Sequence, residues 1–198
     1  MGVLAWWYRF RTGFSLGNDR PKSKLRETIE TFAVAVGLAL IIRATVAEAR
    51  YIPSDSMLPT LHVGDRLIIE KVTYHFEKPH RDDIVVFNPP AASGYKGEAF
   101  IKRVIGLPGE TVAVHAGKVW IDGRPLYEPY ELQPPAYTMP PLTLGPNQLF
   151  VMGDNRNNSD DSHIWGPLPI KNIIGRAVFR FWPPNRLFVP LTPTGPAS

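Results

Sequence analysis

The sequence predicts a mainly β protein in which an antiparallel β domain follows one N-terminal transmembrane helix. One long uncharged apolar run lies near the N-terminus, and beyond it the apolar residues form short runs rich in Val, Ile and Phe. Pro accounts for 21 of the 198 residues, about twice the usual fraction of about 5%. Because Pro breaks helix interiors, this content excludes an all-helical bundle.

Charge and cysteine content exclude several classes of protein. The formal net charge is +4, which is too small to imply a nucleic-acid partner. The chain has no Cys, which excludes a disulfide scaffold, a Cys nucleophile, an iron–sulfur cluster and a thiolate zinc site.

The N-terminal apolar run predicts a membrane span. Residues 32–42 contain no charge and no Pro, and the apolar segment extends to residues 28–46. At ~1.5 Å per residue it forms roughly 28 Å of helix, close to the ~30 Å hydrocarbon core of a bilayer. A buried helix of a soluble protein and a cleaved signal peptide are the alternatives. We favour an uncleaved anchor because the charged arm at residues 1–27 is long for a signal peptide.

The orientation of this span follows from its flanks. Arg and Lys residues are concentrated in the arm before the span, and such residues usually stay on the cytoplasmic side. We therefore expect a single-pass protein of the cell membrane, with a cytoplasmic N-terminus and residues 47–190 forming an extracytoplasmic domain.

Short strands are predicted throughout that domain, each bounded by Gly, Pro, Asp or Asn. They cover residues 67–70, 84–87, 100–105, 111–114, 119–121, 149–152 and 177–182. Residues 111–121 predict a hairpin, because Ala116 and Gly117 separate its halves. The Pro-rich residues 128–146 predict an extended excursion, and residues 191–198 predict a disordered tail.

A serine-containing segment follows the span directly, at residues 51–61. Pro53 and Pro59 restrict the backbone on both sides, so that Ser54 or Ser56 could be presented in one geometry. A Pro/Ser linker is the alternative. None of the five His residues lies in a nucleophile-elbow motif, so a Lys base, as in Ser–Lys hydrolases, becomes the candidate.

Lys102 is the candidate base. It lies with Arg103 in an apolar strand pattern, and alternation points the two side chains to opposite faces. A Lys that faces inward is desolvated, which favours its neutral form; activity near neutral pH needs a pKa of about 7–8 instead of ~10.4. The alternative is an exposed Lys that protects a sheet edge from aggregation.

A dense polar loop at residues 152–166 is the third segment of interest. It fails as a calcium loop, because Arg156 replaces an oxygen ligand and no Glu closes it. A solvated surface loop is the alternative. Asp154 and Asp161 could pair with Arg103 and Arg156, and the Ser159 hydroxyl could orient a Lys amine.

Taken together, these segments resemble type I signal peptidases, a family of membrane-anchored Ser–Lys endopeptidases. The resemblance covers residues 28–182 and rests on the anchor followed, in order, by PSDSMLPTL, GDRLIIEK, DDIVVFNPP, FIKRVIGLPGE and GDNRNNSDDSHIWG. It implies cleavage of signal peptides from exported preproteins at A-x-A-like sites, contact with membrane lipid, and no need for a metal or cofactor.

The resemblance also implies a role for each matching residue. Ser56 would be the nucleophile and Lys102 the general base. The Ser54 hydroxyl and the Ser56 N–H would form the oxyanion hole. The supporting residues would be Ser159, which holds the Lys102 amine, Asp154 with Arg103, and Arg156 and Asp161 within the last loop.

Two positions depart from the family pattern. His163 stands where the family usually has Arg, so the partner of Asp161 is expected to be pH-sensitive or absent. Asp83 stands where the family usually has Gly, so the turn into that strand is expected to differ. A self-cleaving or pilus-type Ser–Lys protease and a catalytically dead, membrane-tethered binding module are the rival hypotheses.

Overall fold

The computed structural model describes residues 24–95, 97–187 and 189–191, without the side chains of residues 41–45. The chain divides into two compact units between Ile41 and Ile42. Most of the predicted arm and nearly all of the predicted tail, residues 1–23 and 192–198, lie outside the described residues.

The N-terminal unit contains most of helix α1 (Lys24–Thr45), at the position where the sequence predicts a helix. The Thr28 and Thr31 hydroxyls donate hydrogen bonds to carbonyls four residues earlier. Within the described part of the chain, no helix has the length and apolarity needed to cross a membrane. The membrane span at residues 28–46 stays a prediction.

The larger unit consists of two antiparallel sheets, and the mainly β fold is confirmed. Its elements in chain order are β1 (Ala47–Tyr51), β2 (Arg66–Glu70), β3 (Ile84–Phe87), β4 (Phe100–Gly106), β5 (Thr111–His115), β6 (Lys118–Ile121), β7 (Arg124–Pro125), β8 (Met139–Thr143), β9 (Gln148–Met152), the short helix α2 (Ser162–Trp165), β10 (Leu168–Pro169) and β11 (Ile173–Trp182). The larger sheet has the order β1-β2-β11-β3-β4-β9-β10, and the smaller sheet has the order β7-β6-β5-β8.

All seven strands expected from apolar runs are present, and the predicted hairpin is formed by β5 and β6. Four strands lacked an apolar signal in the sequence: β1, β7, β8 and β10. β8 lies inside the Pro-rich excursion and carries Pro140 and Pro141. It forms an edge of the smaller sheet, where a missing N–H costs least because one side of the strand has no partner.

The middle strands of the larger sheet are buried on both faces. In β3, Ile84 and Val86 pack into one apolar cluster, whereas Val85 and Phe87 pack into another. Strand β9 likewise divides its side chains between two clusters, one of which joins the smaller sheet. Strand β4 lies between β3 and β9, so polar side chains on it are also enclosed.

Candidate active site

The serine segment is fixed to the core immediately after β1. Met57 and Leu61 are fully buried in the cluster that also contains Ile52. Ile52 precedes Ser56, and Met57 and Leu61 follow it. Ser56 is itself buried, with 7% of its surface exposed. The segment is therefore packed into the domain and is not a flexible linker.

Strand β4 places Lys102 beside this serine. Lys102 Nζ lies 2.7 Å from Ser56 Oγ, and the Lys102 side chain is only 5% exposed. Burial lowers the pKa of Lys102 below its ordinary value of 10.5, although the negative charges of Asp161, Asp160 and Asp154 act in the opposite direction. A buried neutral amine at hydrogen-bonding distance can accept the hydroxyl proton.

The start of the polar loop, directly after β9, packs against the backbone of the serine segment. Asn155 N donates a hydrogen bond of 3.0 Å to the Ser56 carbonyl oxygen. Gly153 leaves no space for a side chain, because a Cβ there would lie 2.4 Å from that same carbonyl oxygen and 2.3 Å from Ser159 Oγ. This glycine allows the polar loop to approach the serine segment closely.

Two further serines lie near this pair. Ser54 is exposed, and its hydroxyl oxygen lies 3.4 Å from Ser56 Oγ. Ser159 is buried, yet its hydroxyl makes no hydrogen bond to any described residue. The expected hydrogen bond from Ser159 to the Lys102 amine is thus not formed in this structure.

Arg103 and Asp154 form the expected ion pair, and both are fully buried. Arg103 donates from Nε and from Nη2 to the two carboxylate oxygens, at 2.8 and 2.6 Å. Thr60 also donates to Asp154, at 2.5 Å. The ion pair joins β4 to the polar loop, and the positive charge of Arg103 offsets the negative charge of Asp154 near Lys102.

Arg156 has a partner that the sequence analysis missed. It makes two hydrogen bonds, of 2.9 and 2.6 Å, to Glu128 in the Pro-rich excursion, whereas Asp161 pairs elsewhere. Between the two arginines, the ring of Tyr130 lies 4.1 Å from the Arg103 guanidinium carbon. The sequence contains no spacing signal for this pairing, because Glu128 reaches the loop only through the path of the excursion.

Asp161 contacts both the polar loop and His163. Its Oδ2 accepts a hydrogen bond of 2.9 Å from Gly153 N, and its Oδ1 lies 2.7 Å from His163 Nδ1. The His163 ring stacks on Tyr137 with a centroid distance of 4.1 Å. The departure from the usual Arg therefore leaves Asp161 with a partner.

The other departure is accommodated at the turn into β3. Asp83 accepts hydrogen bonds from the Tyr74 hydroxyl at 2.8 Å and from His80 N at 2.9 Å. The left-handed backbone conformation falls on the preceding Asp82, with φ of 70°. The carboxylate of Asp83 thus closes a turn that the family usually builds with glycine.

A groove of about 290 Å³ is lined by residues that precede Ser56 and Lys102 closely in sequence. Residues 50–53 line one part of it, residues 97–101 line another, and Val86 contributes an apolar side chain. Strand β4 pairs with β9 from Arg103 onward, so residues 100–102 precede that pairing. The groove has room for an extended chain with small side chains.

Comparisons with known proteins identify the family of this chain. A family model described as "Signal peptidase, peptidase S26" matches residues 25–182. The chain is 58% identical over 170 residues to the "Probable signal peptidase I-1" of Synechocystis sp., with 84% of this chain and 87% of the relative covered. It is 59% identical over 175 residues to the "Signal peptidase I" of Leptolyngbya laminosa, with 85% and 86% covered.

A plant protein is also similar. The "Probable thylakoidal processing peptidase 2, chloroplastic" of Arabidopsis thaliana is 50% identical over 157 residues, which cover 77% of this chain and 43% of the plant protein. These matches define the class of the protein as an enzyme, a hydrolase of the serine endopeptidase type. The chain belongs to the signal peptidase family, peptidase S26.

Proposed function

We propose that this protein is a membrane-bound serine endopeptidase that removes N-terminal signal peptides from exported preproteins with a Ser–Lys dyad. The observation that carries the proposal is the 2.7 Å contact between Ser56 Oγ and the buried Lys102 Nζ. Relatives at 58 and 59% identity that are named signal peptidase I support the substrate class.

Acylation begins when Lys102 Nζ takes the Ser56 hydroxyl proton and Ser56 Oγ attacks the carbonyl carbon of the scissile bond. The Ser56 N–H and the Ser54 hydroxyl stabilise the resulting oxyanion. As the C–N bond breaks, the Lys102 ammonium returns its proton to the leaving amine, and the acyl-enzyme remains. A water molecule then loses a proton to Lys102 and attacks the ester carbonyl; as the ester C–O bond breaks, the Lys102 ammonium returns that proton to Ser56 Oγ, which releases the signal peptide and restores both residues.

The surrounding residues hold these two side chains in position. Arg103 and Asp154 fix β4 to the polar loop, and Arg156 fixes that loop to the excursion. Asp161 holds the Gly153 backbone behind Ser56. Ser159 has a buried hydroxyl that no described residue uses, so it is available to the Lys102 amine during turnover.

The groove supports a preference for small residues. An extended substrate that lies along residues 100–102 would direct alternate side chains to the same side. The −1 and −3 side chains would then both face the apolar surface that includes Ile52, Val86 and Ile101. These apolar side chains would accept Ala, which supports the proposed cleavage at A-x-A-like sites.

Membrane attachment through the N-terminal helix completes the proposal. The uncharged residues 32–42 and the length of residues 28–46 support a single span with a cytoplasmic N-terminus. Apolar side chains along α1 are exposed, among them Leu25, Phe32 and Leu40. Lipid contact would cover them, and it would keep the catalytic domain beside membrane-bound preproteins.

The test of activity is cleavage of a purified preprotein in detergent, followed by N-terminal sequencing of the product. Ser56→Ala and Lys102→Arg should both abolish cleavage, because Arg keeps the charge but does not deprotonate in proteins. Lys71→Arg is the matched control, since Lys71 forms a salt bridge with Glu48 and should tolerate Arg. If Lys102→Arg retains more than about a tenth of the wild-type rate, a loss of less than about 1.4 kcal/mol, Lys102 is not the base.

The test of topology is protease protection in intact spheroplasts. External protease should digest the chain beyond about residue 50, as expected for an extracytoplasmic domain, and should spare the N-terminal arm. The opposite pattern of protection would overturn the proposed orientation.

A further inference from the structure

His163 contacts a buried carboxylate in an arrangement that the proposed mechanism does not use. Its Nδ1 lies 2.7 Å from Asp161 Oδ1, and its backbone N–H donates to the same oxygen at 3.2 Å. The imidazole is nearly parallel to the Tyr137 ring, with an interplanar angle of 13°, so its orientation is fixed. The His163 side chain is 16% exposed, which leaves the ring accessible to solvent protons.

Asp161 links this histidine to the reacting groups. Its second oxygen accepts the Gly153 N–H at 2.9 Å, and Gly153 packs directly against Ser159 and the Ser56 carbonyl. The Asp161 carboxylate is fully buried, so a change in its charge balance is poorly screened by water. A change in the charge of His163 therefore affects the site in two ways: through the position of the Gly153 backbone and through the electrostatic potential of Asp161.

The charges near Lys102 are compensated unequally. Among the three carboxylates that raise its pKa against the effect of burial, Asp161 acts most strongly and Asp154 least. Asp154 is paired with Arg103, whose positive charge is permanent. Within the described residues, Asp161 forms its ion pair with His163, whose positive charge depends on pH.

We propose that His163 is a positioning residue whose charge, acting through Asp161, sets how far towards acid the peptidase remains active. The inference rests on the proposed function, because it takes Lys102 as the base. When His163 is protonated, it offsets the Asp161 charge, and Lys102 gives up its proton more readily. When His163 is neutral, Asp161 holds that proton on Lys102 more strongly, so the two ionisations oppose each other.

The other charged or titratable groups around this cluster are Tyr137, Asp160, and Arg156 with Glu128 and Glu131; burial raises the pKa of Glu131 above its ordinary value of 4.5. Tyr137 packs on the ring, and burial raises the pKa of its hydroxyl, so Tyr137 stays neutral. Beyond it, Arg156 and Glu128 form a buried pair with no net charge. Histidine is the side chain that ordinarily changes charge between pH 5 and 8. His163 is the titratable side chain whose ring contacts Asp161, so its charge acts on Lys102 through that carboxylate.

The test compares His163→Arg with His163→Gln in the full-length enzyme, using kcat/KM for a signal-peptide substrate between about pH 5 and 9. Both replacements can donate a hydrogen bond to Asp161, but only Arg carries a charge. The midpoint of the acid limb should lie about half a pH unit lower for Arg than for Gln, because the Arg charge offsets part of the Asp161 charge.

The matched control is His115→Gln, because His115 is an exposed histidine of the smaller sheet that stacks on Trp120. Its midpoint should equal that of the wild type. A midpoint does not depend on the fraction of active enzyme, so partial unfolding of a variant does not imitate the effect. Lysine-selective ¹³C NMR should show the same order of Lys102 titrations without turnover.

Coincident midpoints for the Arg and Gln variants, or the reverse order, would overturn the role of His163 and leave the Ser–Lys mechanism intact. A failure of the proposed function would have a different signature. In that case Ser56→Ala or Lys102→Arg would remain active, whatever the pH profiles of the His163 variants.

Discussion

Gly153→Ala tests whether close packing behind the serine controls catalysis. The added methyl group would lie 2.4 Å from the Ser56 carbonyl oxygen and 2.3 Å from Ser159 Oγ, whereas ordinary contacts are 3.4–4 Å. Ser159 can rotate away, but the carbonyl is backbone, so the serine segment and the polar loop must separate by about 1 Å. A misplacement of about 1 Å can cost about 10²-fold in rate, or about 2.7 kcal/mol.

The assay is steady-state cleavage of a signal-peptide substrate by both variants of a matched pair. We expect Gly153→Ala to lower kcat about 100-fold and to change KM little, since Gly153 does not line the groove. Gly145→Ala is the control, because a Cβ there meets the flexible Gln148 side chain alone, at 3.0 Å. A kcat for Gly153→Ala within threefold of the control value would refute the reasoning.

Three further predictions follow from other contacts. Glu128→Ala should destabilise the fold by about 3–5 kcal/mol in denaturant titrations, because it removes both short hydrogen bonds between the buried Arg156 and a carboxylate and leaves the 3.6 Å contact with Glu131. Glu131→Ala, which removes a longer and more exposed contact with the same Arg156, should cost less than about 1 kcal/mol. Ser54→Ala should lower kcat by about 10²–10³ with little change in KM, and an unchanged kcat would remove it from the oxyanion hole. In the wild type, the free energy of unfolding should rise with pH between the lowered pKa of Lys102 in the folded state and the ordinary pKa of 10.5. Lys102→Met should remove this rise. Unfolding takes up a proton at Lys102 in that window; equal slopes would mean that the pKa is not lowered.

The strands that the sequence predicts best are those with a continuous apolar run. Strand β3 reads Ile-Val-Val-Phe, and all four residues are buried because both of its faces are covered. Strand β1 contains Glu48 and Arg50, and its pairing with β2 depends on a register that no local pattern reveals. Local periodicity therefore predicts the centre of the larger sheet but not its edge.

The candidate site could be predicted in its chemistry but not in its contacts. Alternation along β4 indicates that Lys102 or Arg103 faces inward, yet both are buried, because the strand is covered on both faces. The pairing of Arg103 with Asp154 could be predicted by matching opposite charges between the two segments. The pairing of Arg156 with Glu128 was not, since it depends on the three-dimensional path of the Pro-rich excursion.

That excursion and the polar loop are each ordered by the other, although both have the composition of surface segments. Asn157 accepts a hydrogen bond of 2.8 Å from Ala136 N and donates one of 3.0 Å to the Pro134 carbonyl, and Leu132 N donates to the Asp154 carbonyl at 2.9 Å. Polar residues in the loop thus satisfy backbone groups that the Pro-rich segment cannot pair within a sheet. The same loop carries Gly153 and Asn155, which contact the Ser56 backbone. The conformation of the excursion and the position of the nucleophile therefore depend on each other.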